Sequence, residues 1–176
     1  MLDLQQRLTD LGFWLGGRDG VFGESSRHAV VAFQKHAGLT PDGVAGPLTR
    51  EALRSAERPT PRSEHGQVIE VDLMHQLLLV VVDGQVRYVL DTSTGAQPGT
   101  TPTGRFEVTW RVDGYDPGPL GTLYRPAYFY RGVAVHGYPS VPPYPASHGC
   151  VRVTNVAMDL LWAEGYVPVG QAVWVY

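Results

Sequence analysis

The spacing of apolar residues changes its period near residue 60, and this change sets the strongest limit on what the chain can fold into. Before it, Leu4 and Leu8 recur at the spacing of one helical face. After it, Ile69, Val71 and Leu73 alternate with charged residues, which is the period of a half-buried strand. The sequence therefore predicts an α+β chain of two domains, a helical one followed by a β domain.

Residues 1–56 are predicted to form a compact bundle of three short helices. The apolar stripe of the second helix stops at Gly38, and the third helix begins at Pro47, a favoured first helical position. Residues 19–29 and 42–52 resemble each other, because each opens with an Asp-Gly turn and enters a helix through a second glycine. We expect two similar loops within this unit.

The rest of the chain is predicted to be a linker and a mostly antiparallel β domain. Residues 57–66 contain prolines and no apolar periodicity, so we interpret them as a linker that allows either docking or tethering. Residues 67–176 form the β domain, in which the continuous apolar run 77–82 predicts a buried strand. One main helix is expected from Thr154, its N-cap, to Gly165.

The middle of the β domain combines a predicted strand with a long irregular stretch. Phe106, Val108 and Trp110 alternate as one further strand. Residues 113–147 are dense in Gly, Pro and Tyr, and we expect mainly long loops that form a wall or lid of a cleft. A surface loop stiffened by prolines is the alternative. Three of the tyrosines are candidate substrate contacts: Tyr128, Tyr138 and Tyr144.

Composition argues against several classes of partner. The net charge is −3 and the basic residues form no block, whereas nucleic-acid binding needs clustered Lys and Arg. The longest apolar run is far too short to span a membrane. Lys35 is the only lysine among 14 basic residues, and the sequence assigns it no role. The first residues lack the basic and apolar regions of a signal peptide.

A single cysteine, Cys150, carries most of the functional argument, because it forms no disulfide within the chain. A thiol with a pKa of ~8.5 is only a few per cent thiolate at pH 7, and a nearby imidazole activates it by accepting its proton. His148 shares a face with Cys150 if the segment is extended, and His136 ends an apolar strand upstream. We expect a Cys150 nucleophile, a His136 base and a second imidazole at His148. A buried structural cysteine is the alternative.

Neighbouring glycines complete the parts of an acyl-transfer site. Gly149 brings the backbone close to a ligand and leaves amide N–H groups free, and the amide of Cys150 is the candidate oxyanion donor. Ser147 and Gly137 are expected to support the site, Ser147 through a local hydrogen bond. We therefore predict catalysis by side chains and backbone amides, with no cofactor.

Arg152 and the two histidines admit other readings. A guanidinium at position 152 suits a substrate carboxylate, although a structural ion pair is the alternative. A backbone carbonyl is expected to fix the tautomer of His136, since the sequence places no carboxylate for it. Zinc could use His136, His148 and Cys150, but there is neither a second cysteine nor a His-x-x-x-His helix, so we expect no metal.

The pattern around the cysteine resembles the catalytic motif of the L,D-transpeptidases of YkuD type. His136-Gly137, followed by Ser-His-Gly-Cys-Val-Arg at 147–152, matches a His-Gly pair and Ser/Thr-His-Gly-Cys-aliphatic-Arg/Asn. Thr-Pro-Thr-Gly-Arg-Phe at 101–106 is similar to the family's Thr-Pro-x-Gly-x-Phe segment. The resemblance covers residues 67–176 and implies a β-sandwich catalytic domain. Some members have Ser where this chain has Gly137, so that side chain is missing here.

Residues 1–56 resemble the peptidoglycan-binding type 1 domain, a three-helix module. The resemblance includes Leu4-Gln5, Phe33-Gln34 and the two Asp-Gly loops. Together the two modules imply one polymer, bacterial peptidoglycan, with its stem peptides and glycan as partners. Because the family is exported, we expect an extracytoplasmic protein, in the cell wall or periplasm, with a signal segment upstream of this sequence.

The resemblance also implies a reaction. Cys150 would attack the amide between the third residue of a donor stem and its terminal D-alanine, and an amine of another stem would then attack the thioester to form a crosslink. His136 matches the family's base, His148 its second histidine, and Arg152 the position after the aliphatic residue. An L,D-carboxypeptidase, in which water attacks the thioester, and a non-catalytic wall-binding module are the alternatives. Some β-lactams, especially carbapenems, also acylate family members.

Overall fold

The computed structural model describes residues 1–176 and contains four helices and ten strands. The helices are α1 (Leu2–Asp10), α2 (Glu24–His36), α3 (Pro47–Ser55) and α4 (Asn155–Ala163). The strands are β1 (Gln67–Asp72), β2 (Leu77–Val82), β3 (Gln85–Asp91), β4 (Gly104–Glu107), β5 (Trp110–Arg111), β6 (Tyr115–Gly118), β7 (Gly121–Tyr130), β8 (Val133–Tyr138), β9 (Val151–Thr154) and β10 (Ala172–Val175). None of the helices has the length and apolar character needed to cross a membrane.

A buried glutamine holds each of the two similar loops of the helical bundle. Gln5 Nε2 donates to Asp19 Oδ1 at 2.9 Å and to the Val21 carbonyl at 3.0 Å. Gln5 Oε1 accepts from the Gly20 amide at 2.8 Å. The equivalent partners of Gln34 are Asp42, Val44 and Gly43. The similarity of the two segments in sequence is therefore a repeated clamp in structure.

The β domain consists of two five-stranded sheets that pack face to face. The first has the order β3-β2-β1-β10-β4, and the second has β5-β7-β8-β9 with β6 paired to β7. Only the β1–β10 and β8–β9 pairs are parallel. The main helix, α4, follows Thr154, whose hydroxyl accepts from the Ala157 amide at 3.2 Å. The predicted fold class, a helical bundle and a mostly antiparallel β-sandwich with one main helix, is confirmed.

Strand β2 is buried on both faces, which explains its continuous apolar run. Successive side chains of a strand point to opposite faces. Leu78 and Val80 lie in the core between the two sheets. Leu77, Leu79 and Val81 lie in a second core, which the sheet shares with the helical bundle. The bundle therefore covers the outer face of the first sheet.

The predicted linker is fastened to both domains. Arg58 donates to the carbonyl of Val86 on β3 at 2.9 Å and to the carbonyl of Asp10, the last residue of α1, at 2.6 Å. The buried carboxylate of Glu70 accepts from the backbone amide of Ser63 at 2.7 Å and from its hydroxyl at 2.6 Å. Of the two arrangements left open by the sequence, docking is the one observed.

The single strand predicted through Phe106, Val108 and Trp110 is wrong. The chain changes sheets here, because Phe106 pairs with Val173 in the first sheet and Trp110 pairs with Tyr128 in the second. Val108 lies at the crossing and is buried in the core between the sheets. The apolar alternation persists through the corner, so it could not reveal the break.

The Gly, Pro and Tyr stretch contains more strand than predicted. Strands β6, β7 and β8 occupy most of residues 115–138, and only 139–150 is irregular. A proline interrupts a ladder because it lacks an N–H group. In β7 the pairing register shifts between Tyr124 and Ala127, which accommodates Pro126 inside a long strand. Pro126 therefore marks an irregularity within a strand, whereas Pro139, Pro142, Pro143 and Pro145 lie in the irregular segment, as predicted for this stretch.

Candidate active site

Three of the predicted site residues lie on one face of the second sheet. Strands β8 and β9 are parallel, with His136 paired to Arg152, and Cys150 immediately precedes β9. Paired residues on neighbouring strands point to the same side, and alternate residues share a face. The intervening residues face the core between the sheets: Val135, Val151 and Val153. His136, Cys150 and Arg152 consequently share the face directed away from that core.

Cys150 is the last residue of a turn, whereas we predicted an extended segment here. Ser147 Oγ donates to the Cys150 carbonyl at 2.6 Å and accepts from the Gly149 amide at 3.0 Å. Gly149 has a φ of 140°, and a Cβ there would lie 2.7 Å from the Thr100 carbonyl oxygen. The amide of Gly149 is therefore not free, contrary to expectation, and the residue instead supplies a conformation that only glycine adopts readily.

The thiol of Cys150 is half-buried among backbone groups. Its Sγ lies 3.8 Å from the Gly132 carbonyl oxygen. Burial raises the pKa of this thiol, and the nearby Ala134 amide and Arg152 charge oppose that effect. The amide N–H of Cys150 itself makes no hydrogen bond within the chain, so it stays the candidate oxyanion donor.

His136 is buried and held in one tautomer by the backbone carbonyl of the next residue, Gly137. Its Nδ1 lies 2.8 Å from the Gly137 carbonyl oxygen. A carbonyl only accepts, so Nδ1 carries the proton and Nε2 is left as a proton acceptor. A backbone carbonyl is the orienting group that the sequence led us to expect. Burial lowers the pKa of His136 to about 4, the Gly137 hydrogen bond opposes this, and the charge of Arg152 adds to it.

Gly137 leaves no room for a side chain. A Cβ at this position would lie 2.7 Å from both the Tyr124 ring and Asn155 Oδ1. Asn155 Oδ1 is itself buried without a hydrogen-bond partner. The support given by Gly137 is therefore its carbonyl, together with the close packing that its lack of a side chain permits.

Burial favours the neutral forms of both reacting groups. It raises the pKa of the Cys150 thiol and lowers that of the His136 imidazole. Both shifts favour a thiol and a neutral imidazole over the thiolate–imidazolium pair considered from sequence.

Arg152 is anchored on a tyrosine and has no carboxylate partner. Its guanidinium carbon lies 4.2 Å from the Tyr138 ring centroid, and that ring meets His136 edge-on at 5.9 Å. Nη1 donates to the Ala146 carbonyl at 3.3 Å, whereas the buried Nε has no partner. The chain's ion pairs do not include Arg152, so the structural ion pair is not observed. Its charge is available to an anionic group.

Tyr128 lies on the same sheet face as His136, because it pairs with Ala134, two residues before His136 on β8. Its ring stacks on Trp110 with centroids 4.4 Å apart, and its hydroxyl donates to Asp116 at 2.7 Å. Burial and the bond to Asp116 raise the pKa of Tyr128. The sequence did not indicate that Trp110 stacks on Tyr128, because the pairing of β5 with β7 brings the two rings together.

The other two predicted side chains are solvent-exposed. Tyr144 and His148 both lie on the irregular segment 139–150. The structure also contains no group of three or more His, Cys, Asp or Glu side chains arranged to hold a metal ion.

Thr101 is a supporting residue that we missed from sequence. Its hydroxyl donates to the Gly149 carbonyl at 2.8 Å and accepts from the Gly95 amide at 2.9 Å. It thereby ties the cysteine turn to the segment after β3. The Thr-Pro-x-Gly pattern that begins at Thr101 was the available signal, but it did not reveal the partner.

Comparison with known families assigns both domains. The L,D-transpeptidase catalytic-domain family (YkuD) matches residues 66–175. The chain belongs to the L,D-transpeptidase family. A peptidoglycan-binding domain family matches residues 1–53. The resemblance stated from the sequence motifs is confirmed for both domains.

Solved structures of L,D-transpeptidases resemble the whole chain. The L,D-transpeptidase from Xylanimonas cellulosilytica is 48% identical, with a TM-score of 0.94 over 99% of this chain and 92% of that one. An L,D-transpeptidase from Stackebrandtia nassauensis is 25% identical, with a TM-score of 0.62 over 99% of this chain and 89% of that one. The likeness extends across the helical bundle as well as the sandwich.

Curated relatives share only a short segment with this L,D-transpeptidase family member. An N-acetylmuramoyl-L-alanine amidase of Mycobacterium tuberculosis is 46% identical over 50 residues, which are 28% of this chain and 12% of that protein. The chain spans less than a quarter of the length of such relatives. Their activities are therefore not carried over to it.

Proposed function

We propose that the chain is a peptidoglycan L,D-transpeptidase that works through a thioester on Cys150. One observation carries the proposal: the only thiol of the chain shares a sheet face with a neutral imidazole whose Nδ1 proton is held by the Gly137 carbonyl. That arrangement leaves His136 Nε2 as the proton acceptor on that face. Membership of the family supports the class of reaction, and the residue roles given below are our assignment.

In the first half-reaction, Cys150 Sγ attacks the carbonyl carbon that joins the third residue of a donor stem to its terminal D-alanine. His136 Nε2 takes the thiol proton and passes it to the leaving nitrogen as the C–N bond breaks. The Cys150 amide donates to the oxyanion, and one such donor contributes roughly 3–4 kcal/mol in comparable sites. D-Alanine leaves, and the stem is held as a thioester.

In the second half-reaction, the amine of an acceptor stem attacks the thioester carbon. The C–S bond breaks, the new amide forms the crosslink, and the proton of the amine returns to the thiolate through His136. Hydrolysis uses the same residues with water as the acceptor, and it would make the chain an L,D-carboxypeptidase. The two outcomes differ in acceptor access and not in the residues that react.

Several other residues are assigned to substrate binding. Arg152 is assigned to a substrate carboxylate, because its charge is unpaired and its orientation is fixed by stacking. Tyr128 and Tyr138 line the site, and the exposed Tyr144 and His148 are free to contact a bound stem.

The domain roles are part of the same proposal. Residues 1–56 bind the wall, 67–176 catalyse, and 57–66 join them. Because the substrate is peptidoglycan, we propose extracytoplasmic action. A full-length Cys150→Ala protein should sediment with insoluble sacculi, and failure to do so would remove the binding role of the helical domain.

A carbapenem-type β-lactam is a proposed second acylating agent. Its strained cyclic amide offers the same thiol a carbonyl carbon, and ring opening leaves no departing fragment. Intact-protein mass spectrometry should therefore show the mass of the whole drug added to wild type, with no addition to Cys150→Ala.

Mass spectrometry of the products tests the reaction. The wild-type protein is incubated with a disaccharide tetrapeptide, with Cys150→Ala as control. We expect crosslinked dimers and free D-alanine from wild type only. Tripeptide without dimers would establish the hydrolase instead. If wild type forms neither dimers nor tripeptide, the proposed function is rejected.

A further inference from the structure

The only lysine of the chain is buried where the helical bundle meets the β domain. Lys35 on α2 is 8% exposed. Its Nζ donates to Asp91 Oδ1 at 2.5 Å, to the Thr92 carbonyl at 2.9 Å and to the Gln76 carbonyl at 3.1 Å. An ammonium has three donors, and all three are satisfied here. The planar fork of arginine would not reproduce this arrangement.

The partner carboxylate is held from both sides by the same helix. Asp91 ends β3 and is 5% exposed. Its second oxygen, Oδ2, lies 2.6 Å from Nδ1 of His28, which is also on α2 and 7% exposed. Buried charges in proteins are paired because isolated ones are strongly disfavoured. Helix α2 thus fixes the end of β3 through two side chains.

The residues after Asp91 are hydrogen-bonded to Arg152 and to the cysteine turn, residues 147–150. Thr92 Oγ1 donates to the Arg152 carbonyl at 2.6 Å. Ser93 and Arg152 exchange two backbone hydrogen bonds, of 3.1 and 3.0 Å. The Thr94 carbonyl accepts from the amide of Ser147 at 2.8 Å, and Ser147 closes the cysteine turn. Residues 92–94 therefore support Arg152 and the turn that carries Cys150 through these hydrogen bonds.

Gln76 links the lysine to the same segment by a second route. Its carbonyl accepts from Lys35, and its side chain is bonded to Thr94. Gln76 Oε1 accepts from the Thr94 amide at 2.8 Å, and Nε2 donates to Thr94 Oγ1 at 2.8 Å. The ammonium of Lys35 accordingly connects the backbone at Gln76 with the backbone at Thr92, and both segments support the cysteine turn.

We propose that Lys35 is a positioning residue for the transpeptidation reaction. Through Lys35, the helical domain fixes residues 92–94, which support the turn that carries Cys150. The helical domain is then a structural part of the catalytic unit as well as a wall binder. This inference rests on the proposed function, because the position that it explains is that of the proposed nucleophile. Lys35 touches neither the substrate nor the thiol.

Lys35→Met tests the proposal, and Arg58→Met is the matched control. Arg58 also joins the helical bundle to β3, but at Val86, the opposite end of the strand from Asp91. Three quantities are measured in the whole chain: the rate of alkylation of the single thiol by iodoacetamide at fixed pH, and kcat and KM with the disaccharide tetrapeptide.

We expect Lys35→Met to change the alkylation rate of Cys150 and to lower kcat by at least about tenfold, because small displacements of a reacting group have large effects on rate. KM should stay within about twofold of wild type, since the residue does not bind substrate. Arg58→Met should leave the alkylation rate and kcat unchanged. Wild-type values in folded Lys35→Met, or equal losses in Arg58→Met, would overturn the proposal.

A double variant keeps the test available if Lys35→Met does not fold. Lys35→Met with Asp91→Asn removes the uncompensated carboxylate but does not restore the donor to the Gln76 and Thr92 carbonyls. The same kinetic loss is expected, and wild-type kinetics would refute the positioning role. If wild type produced neither dimers nor tripeptide, the proposed function would fail, while the alkylation comparison would still test the position of the thiol.

Discussion

The reactivity of Cys150 should depend on pH as that of a buried neutral thiol does. Burial raises the pKa of the thiol, whereas His136, with a pKa of about 4, is already neutral above that pH. An ordinary thiol of pKa ~8.5 reacts at pH 7 about 30-fold more slowly than at its high-pH plateau. We therefore expect at least about a 30-fold difference here, with no shoulder between pH 5 and 8.

Iodoacetamide alkylation followed by intact-protein mass spectrometry measures this profile without ambiguity, because the chain has one cysteine. The protein unfolded in urea provides the control and should titrate near the ordinary value of ~8.5. The positive charge of Arg152 lowers the pKa of the thiol, so Arg152→Gln should move the folded profile to higher pH.

A preformed thiolate–imidazolium pair would behave differently. The thiolate would then be populated between a depressed thiol pKa and an elevated imidazole pKa, and the rate would be flat across that interval. A plateau from pH 5 to 8, at a rate within about twofold of that at high pH, would refute the reasoning from burial.

Two further substitutions test the supports of the fold and the site. Gly149→Ala should reduce kcat at least about tenfold, because a Cβ there would lie 2.7 Å from the Thr100 carbonyl oxygen at a φ of 140°, and strain of this kind costs about 1–3 kcal/mol. Gly99→Ala should keep activity: its φ of 80° is also positive, but its Cβ would meet no atom within 4 Å. Gln34→Ala should lower the free energy of unfolding by about 2–4 kcal/mol, because the buried Gly43 amide loses its acceptor, whereas exposed Gln6→Ala should change it by less than about 0.5 kcal/mol in denaturant titrations. Loss of kcat in Gly99→Ala, or equal stability of the two glutamine variants, would contradict these assignments.

Local patterns predicted the elements whose chemistry is local. The start of α3 at Pro47 and the N-cap Thr154 depend only on a few neighbouring residues, and both are found where the sequence placed them. The apolar run of β2 predicted burial correctly. It could not reveal that the helical bundle covers one face, because an all-apolar strand reads the same whatever covers it.

Features set by distant pairing could not be predicted. The break between β4 and β5 is hidden because Val108 keeps the alternation through the crossing. Cys150 and His136 are proposed as reacting groups from their motif, but the burial that favours their neutral forms comes from residues far away in sequence. Lys35 stood out only as the single lysine, since its partners Asp91 and Gln76 lie on the other domain.

The most direct test of the account is a search for the acyl-enzyme itself. Wild-type protein is mixed briefly with a disaccharide tetrapeptide, quenched in acid and analysed by intact-protein and peptide mass spectrometry. We predict an adduct equal to the donor without its D-alanine, located on the peptide that contains Cys150 and absent from Cys150→Ala. If Cys150→Ala turned over the donor at the wild-type rate, without any adduct, the thioester mechanism would be contradicted.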